Sequence, residues 1–339
     1  MGMRNMLRSC LLLLCVMAFP LTAQANQLGI AGEYNAFLLD SISIFSTDIE
    51  GRAAAGGNGY FGDSGGPEDG FAVASKVSVS NPLLPELVVG GNLTMVNGSV
   101  GYNYGDPKAP NYQNGTVYYG GSTADIASDV GKGDVIKGMP IDFKKEEIYL
   151  KNLSKTWGGL SPTGIPSYFQ GDDGRYLITL TGYSPTFNSF LLDSNVLSNA
   201  SKFTIDVPFG STLLVNISGD KATLFDFAFF YDGLQGGNNP NFPDQYIIYN
   251  FFQAGELTIG DEDYDFGIKI DGSILAPWAD IKFYNGDIDG NLIGFSLTGD
   301  GEAHLELFKG QVPVPEPATL ILFGSGLAGV AAFRRRKTS

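Results

Sequence analysis

The chain has 339 residues, 43% of them hydrophobic and 12% aromatic, with 46 glycines and a formal net charge of −15. This apolar content can bury a core, which excludes wholesale disorder, and the acidic balance opposes binding to nucleic acid or to an anionic membrane surface. Both cysteines, Cys10 and Cys15, fall in the first apolar run, so the body of the chain has no disulfide, no thiolate nucleophile and no cysteine metal ligand.

The first 25 residues read as an export signal. Arg4 and Arg8 precede an apolar run over 10–21, and Ala23 and Ala25 place small side chains where a signal peptidase reads. The run is short for a spanning helix, so the expected product is a cleaved chain beginning near Asn26. Six of the 21 cations (Arg4, Arg8, Arg334, Arg335, Arg336 and Lys337) sit in the end segments, which leaves the body more acidic than the whole.

Residues 26–311 form that body, one large domain or two small ones on ordinary domain sizes. Residues 34–39 and 42–45 read as strands. The phrases Gly56-Gly57-Asn58, Gly90-Gly91-Asn92 and Gly120-Gly121-Ser122 each follow a short apolar run, which suggests irregular coils of one stacked unit. A phosphate-binding loop is the sharper alternative, but no GK[ST] and no βαβ unit accompany the glycines. Residues 142–159 predict a helix: Asp142 caps it, Glu146 and Glu147 lie near its positive end, and Gly158-Gly159 stops it. Phe143, Leu150, Leu153, Trp157 and Leu160 share one face, a stripe suited to core packing. From Phe203 onward strands follow at 203–207, 213–217, 224–231, 247–252, 257–259, 268–275, 281–284, 292–297 and 305–308, with Gly, Asn or Asp between them. A mostly β body of this spacing fits a β-sandwich or a parallel β-solenoid, and the short strands with small residues favour the solenoid.

Several segments together resemble the choice-of-anchor A family. They are Tyr34-Asn35-Ala36-Phe37, residues 48–58 and 87–93, Ile141-Asp142-Phe143, Val215-Asn216-Ile217-Ser218-Gly219, residues 272–277, Gly290-Asn291-Leu292-Ile293 and residues 297–304. The resemblance implies a right-handed parallel β-solenoid-like adhesin domain with one packed α-helix, similar in its C-terminal part to ice-binding-like adhesins. It transfers no binding residues.

Chemistry is sparse. His304 stands beside Glu302 with no G-x-S-x-G elbow, and a zinc site would want more His and Cys. Asp261, Asp263 and Asp265 alternate as in a weak calcium loop, although Phe266 and Gly272 stand where an EF-hand has Gly and Glu; a solvated acidic loop is the competing reading. Asp287 and Asp289 form a weaker version. No catalytic residue and no cofactor beyond calcium is expected. Opposed acids on a solenoid keep one enzymatic alternative open, a polysaccharide lyase or glycosidase. Ice binding would need a flat Thr-x-Thr array, which the sequence lacks.

The C-terminus, 312–339, is a second delivery signal. Proline-fixed extended chain at 312–317 leads into an uncharged stretch over 318–333 and then the basic cluster Arg334, Arg335, Arg336 and Lys337. As a helix the stretch covers about 24 Å against a hydrocarbon core of about 30 Å, enough for transient inner-membrane insertion with the cations held in the cytoplasm. Pro315-Glu316-Pro317, apolar helix and basic end, in that order, resemble a PEP-CTERM sorting signal. The resemblance implies an exosortase that recognises Pro315, Glu316 and Pro317. The expected protein is an exported adhesin or structural component of the cell surface or extracellular matrix. Its expected partners are signal peptidase, exosortase and extracellular polysaccharide or surface proteins, with no nucleic acid.

Overall fold

A computed structural model describes residues 26–62, 70–77, 84–102, 113–126, 134–226, 228–231, 234–235, 244–263 and 267–313. Strands recur in threes along the chain, and each full coil lays one strand on each of three faces. The first face stacks the strands at 135–137, 117–119, 87–89, 53–55, 36–38, 292–294, 274–276, 247–251, 212–218 and 187–193, all in parallel. The second stacks 123–126, 93–95, 59–62, 42–45, 297–299, 281–283, 256–259 and 221–224, again in parallel. The long strands Ser273–Phe283 and Leu292–Gly299 bend from the first face into the second. The third face carries 98–102, 71–73, 48–49, 302–304, 286–289 and 268–271, and beyond them a separate sheet of 228–231, 200–206 and 176–181 edged by the antiparallel Ser167–Gln170. This is a parallel β-solenoid. The sandwich alternative fails because sandwiches pair antiparallel strands, and here almost every pair is parallel.

Stacking order differs from chain order. Ala36–Leu38 lies mid-stack, and successive coils climb away from it to Val135–Lys137. Helix α1 (Phe143–Gly158) then runs back, and the later coils return until Leu292–Gly299 pairs with the starting coil. First and last coils are sewn together by buried asparagines. The Asn35 amide donates to the Gly290 and His304 carbonyls and its oxygen accepts from Gly51 N–H, while Asn291 donates to Tyr34 O (2.6 Å) and accepts from Phe308 N–H (2.8 Å). These bonds satisfy polar groups that the junction would otherwise strand in the core.

The echoing glycine phrases form one corner. A Cβ on Gly90 would lie 2.2 Å from Gly56 O, and one on Gly120 2.1 Å from Gly90 O, so only glycine lets these coils stack. Beside them Asn58 Oδ1 accepts from Asn92 N–H (2.8 Å) and Asn92 Oδ1 from Ser122 N–H (2.9 Å). The amides of Gly57, Gly91 and Gly121 are spent on the carbonyls of Asp40, Gly57 and Gly91, which leaves no cradle for phosphate.

Alternate side chains point inward, and Phe61, Phe190, Phe203, Phe251 and Phe283 are fully buried in the interior. Each such side chain contributes about 1.5–3 kcal/mol. A second apolar cluster lies outside the first face, under α1. Asp142 caps the helix through Lys145 N–H (3.1 Å); Phe143, Leu150 and Trp157 are buried, with Leu153 and Leu160 at the rim.

Three expectations are corrected. The stretch read as a strand at 224–231 is two strands, Lys221–Leu224 and Ala228–Tyr231, with Asp226 between them at a positive φ of 49°. The last strand is Glu302–His304, and the residues after it run across the coils as a strap with Phe308 and Val312 buried. Residues 160–200, not read as strands, hold Ser167–Gln170, Tyr176–Thr181 and Phe187–Asp193.

Candidate functional site

The expected processing residues Ala23, Ala25, Pro315, Glu316, Pro317, Arg334, Arg335, Arg336 and Lys337, the apolar stretch 318–333 and Asp265 lie outside the described residues. Among the described residues no helix is long and apolar enough to cross a membrane. Where the body hands over to the two end segments, the geometry is defined. Gln27 Nε2 donates to Val312 O and Val312 N–H to Gln27 Oε1, both at 2.8 Å, and Tyr149 of α1 donates to Gln27 O (2.8 Å). Gln311 N–H reaches Thr212 Oγ1 (2.7 Å). Both chain ends therefore leave the body together, beside the helix. The expected calcium run is only partly placed: Asp261 Oδ1 accepts from Asp263 N–H (2.9 Å), an Asx turn.

The first face is closed. Its outward row Leu275, Ile293, Phe37, Ala54, Val88 and Tyr118 runs in register from coil to coil and joins the buried stripe of α1 in one apolar cluster. Phe37 stacks on Phe143 at 5.4 Å. Two further outward residues, Asn216 and Asn250, hold the helix by its carbonyls. Asn216 donates to Trp157 O (2.8 Å), Asn250 to Ser154 O (2.9 Å), and Ser154 Oγ donates back to Asn250 (2.5 Å).

Among the described residues the second face is open. Its outward row is Thr223, Thr258, Lys282, Thr298, Ser43, Tyr60 and Thr94, one residue per coil in unbroken register, all exposed or half-buried. Adjacent members are about 4.8 Å apart, the strand spacing. Two positions earlier on the later coils runs a second row, Lys221, Glu256, Asp280 and Ser296, in which Lys221 pairs with Glu256 (2.6 Å) and Ser296 donates to Asp280 (2.5 Å). No coil of this face therefore presents Thr-x-Thr, as the sequence led us to expect. The result is a polar surface of hydroxyls and charged side chains.

The third face carries an ionic ladder of which the sequence showed the acids and His304 but not their pairing, because its members come from separate coils. Lys269 Nζ lies between Asp287 (3.1 Å) and Asp289 (2.5 Å), and Asp289 accepts from His304 Nδ1 (2.7 Å). Glu302 lies 3.5 Å from His304 Nε2, and Lys76 pairs with Glu50 on the next coil. The hydrogen bond to Asp289 pushes the His304 pKa up to about 9 against the opposing effect of burial, with Asp287 reinforcing it. Burial works against ionised Asp289, but the bonds from His304 and Lys269 outweigh it and hold its carboxyl below the usual range. The His304 Nδ1 is thereby committed to Asp289 as a rung of the ladder.

Fold and surfaces define a parallel β-solenoid with one helix-covered face, one open polar face and one charge-laddered face. The chain belongs to the ice-binding-like adhesive domain family, whose pattern matches residues 27–305. The PEP-CTERM protein-sorting motif matches residues 313–337 and marks an exported chain. Similar solved structures include an ice-binding protein of the Antarctic ascomycete Antarctomyces psychrotrophicus (12% identity, 82% of this chain and 97% of that one, TM-score 0.40). A glycosylated ice-binding protein of an Arctic yeast is also similar (12%, 87% and 98%, 0.38), as is an ice-binding protein domain of Shewanella frigidimarina (12%, 85% and 98%, 0.34). No curated protein matches the chain.

Proposed function

We propose that this is an exported cell-surface or matrix adhesin of the choice-of-anchor A kind that binds through its second face. On this reading signal peptidase cleaves after Ala25, and an exosortase recognises Pro315, Glu316 and Pro317 after transient membrane insertion. The observation that carries the binding role is the open row Thr223, Thr258, Lys282, Thr298, Ser43, Tyr60 and Thr94. A sheet face left uncovered while its neighbour is sealed, and furnished with hydroxyls and an exposed tyrosine, suits a flat polar ligand such as extracellular polysaccharide. Catalysis is disfavoured because the single histidine is committed to an ion pair.

The test pairs two alterations. Thr258→Glu with Thr298→Glu should lower binding to the producing cell's polysaccharide at least tenfold with the fold intact by circular dichroism. Removal of residues 315–339 should leave polysaccharide binding in place but abolish surface delivery in cell fractionation. Unchanged binding in the double variant sinks the face assignment, and unchanged delivery in the truncation sinks the sorting assignment.

A further inference from the structure

Above the ladder of the third face, three carboxylates converge from distant segments. Asp271 ends the strand Ile268–Asp271, Asp289 ends the neighbouring Gly286–Asp289, and Asp244 opens the short 3-10 turn Asp244–Tyr246 that leads into Ile247–Phe251. One oxygen from each lies within 4.8 Å of the other two. Asp271 points outward from the sheet, as Lys269 does, yet it is only 1% exposed, and its Oδ1 has no hydrogen-bond partner; Asp244 Oδ1 is likewise buried without one. A buried carboxylate oxygen with no donor is costly and needs a cation or a proton. Lys269 does not supply the answer, since its ammonium is engaged by Asp287 and Asp289.

We propose that Asp244, Asp271 and Asp289 hold a calcium ion. Three carboxylate oxygens make a hard donor set, which suits calcium or magnesium and disfavours softer metals. Oxygens on one ion can be no further apart than twice the metal–oxygen distance, about 5 Å for calcium, so a set bounded at 4.8 Å lies within calcium's reach; calcium's flexible coordination also tolerates an irregular donor set where magnesium demands near-ideal octahedral geometry. Buried carboxylate oxygens that lack a hydrogen-bond donor gain most from a divalent counter-charge. The ion would fasten the Asp244–Tyr246 turn to the sheet. That turn in turn grips the C-terminal strap, for Gln245 O accepts from Lys309 N–H (2.7 Å), Gln245 Oε1 from Lys309 Nζ (2.6 Å), and its amide donates to Glu306. The site is distinct from the Asp261–Asp265 run and independent of the adhesive reading.

Thermal melts of the EDTA-stripped full-length chain, with calcium or magnesium chloride at matched ionic strength, test the proposal. Calcium at about 100-fold over its dissociation constant should raise Tm by about 5 °C, and magnesium should raise it less. Asp271→Asn and Asp244→Asn should each abolish the shift, while Asp261→Asn with Asp263→Asn should keep it. If Asp271→Asn does not fold, the more peripheral Asp244→Asn decides. No calcium shift in the natural chain, an undiminished shift in both single variants, or a shift lost only in the Asp261/Asp263 pair would each overturn the assignment.

Discussion

The first and second faces are cut from the same coils, share one interior and differ only in what points outward. On the first, Leu275, Ile293, Phe37, Ala54 and Val88 make an apolar row that α1 seals; on the second, the matching turn of the coil offers Lys282, Thr298, Ser43, Tyr60 and Thr94, and no element covers it among the described residues. A parallel solenoid fixes its inward rows through packing, so the outward rows are the free choice that separates scaffold from working surface. Where the outward choice is apolar it recruits a helix; where it is hydroxylated it stays available.

The sharpest way to break that contrast is a charge on each face. Leu275→Asp should destabilise by about 4 kcal/mol or more, because an unpaired carboxylate would sit under the helix, while Thr298→Asp should stay within about 0.5 kcal/mol; urea unfolding reads both. Equal effects would show that the two faces are energetically alike. Asn250→Ala removes the amide that ties α1 to the first face and takes from the buried Ser154 hydroxyl and Asn216 Oδ1 their Asn250 partner, an expected loss of about 2–3 kcal/mol by the same measurement. Gly90→Ala drives a methyl into the Gly56 carbonyl at the corner joining the faces, with an expected cost of about 1–3 kcal/mol and a lowered Tm. Asp142→Ala strips the helix cap at an expected cost of about 1 kcal/mol, visible in urea midpoints but without effect on binding by the second face.

Much of this was legible in the sequence for a physical reason. The glycine phrases repeat because each coil must pass its neighbour's carbonyl at one corner, and the helix announces itself by its cap and its stripe. The edge strand Ser167–Gln170 escaped notice because it is exposed on every residue and shows no alternation. Position in the stack was also hidden. Asn35 and Gly290 are neighbours across 255 residues, and local pattern carries no trace of such a pairing. The charge ladder was half seen: Asp287 and Asp289 stood out as acids, but their partners Lys269 and His304 arrive from adjacent coils, and Asp244 comes from a turn with no motif around it.

The reciprocal Gln27–Val312 bonds have a mechanical meaning. A force applied at Val312 would enter through a strap that crosses several coils, anchored in turn at Asn291, Gln245 and Thr212, so the load is spread over separate rungs and no single strand bears it alone.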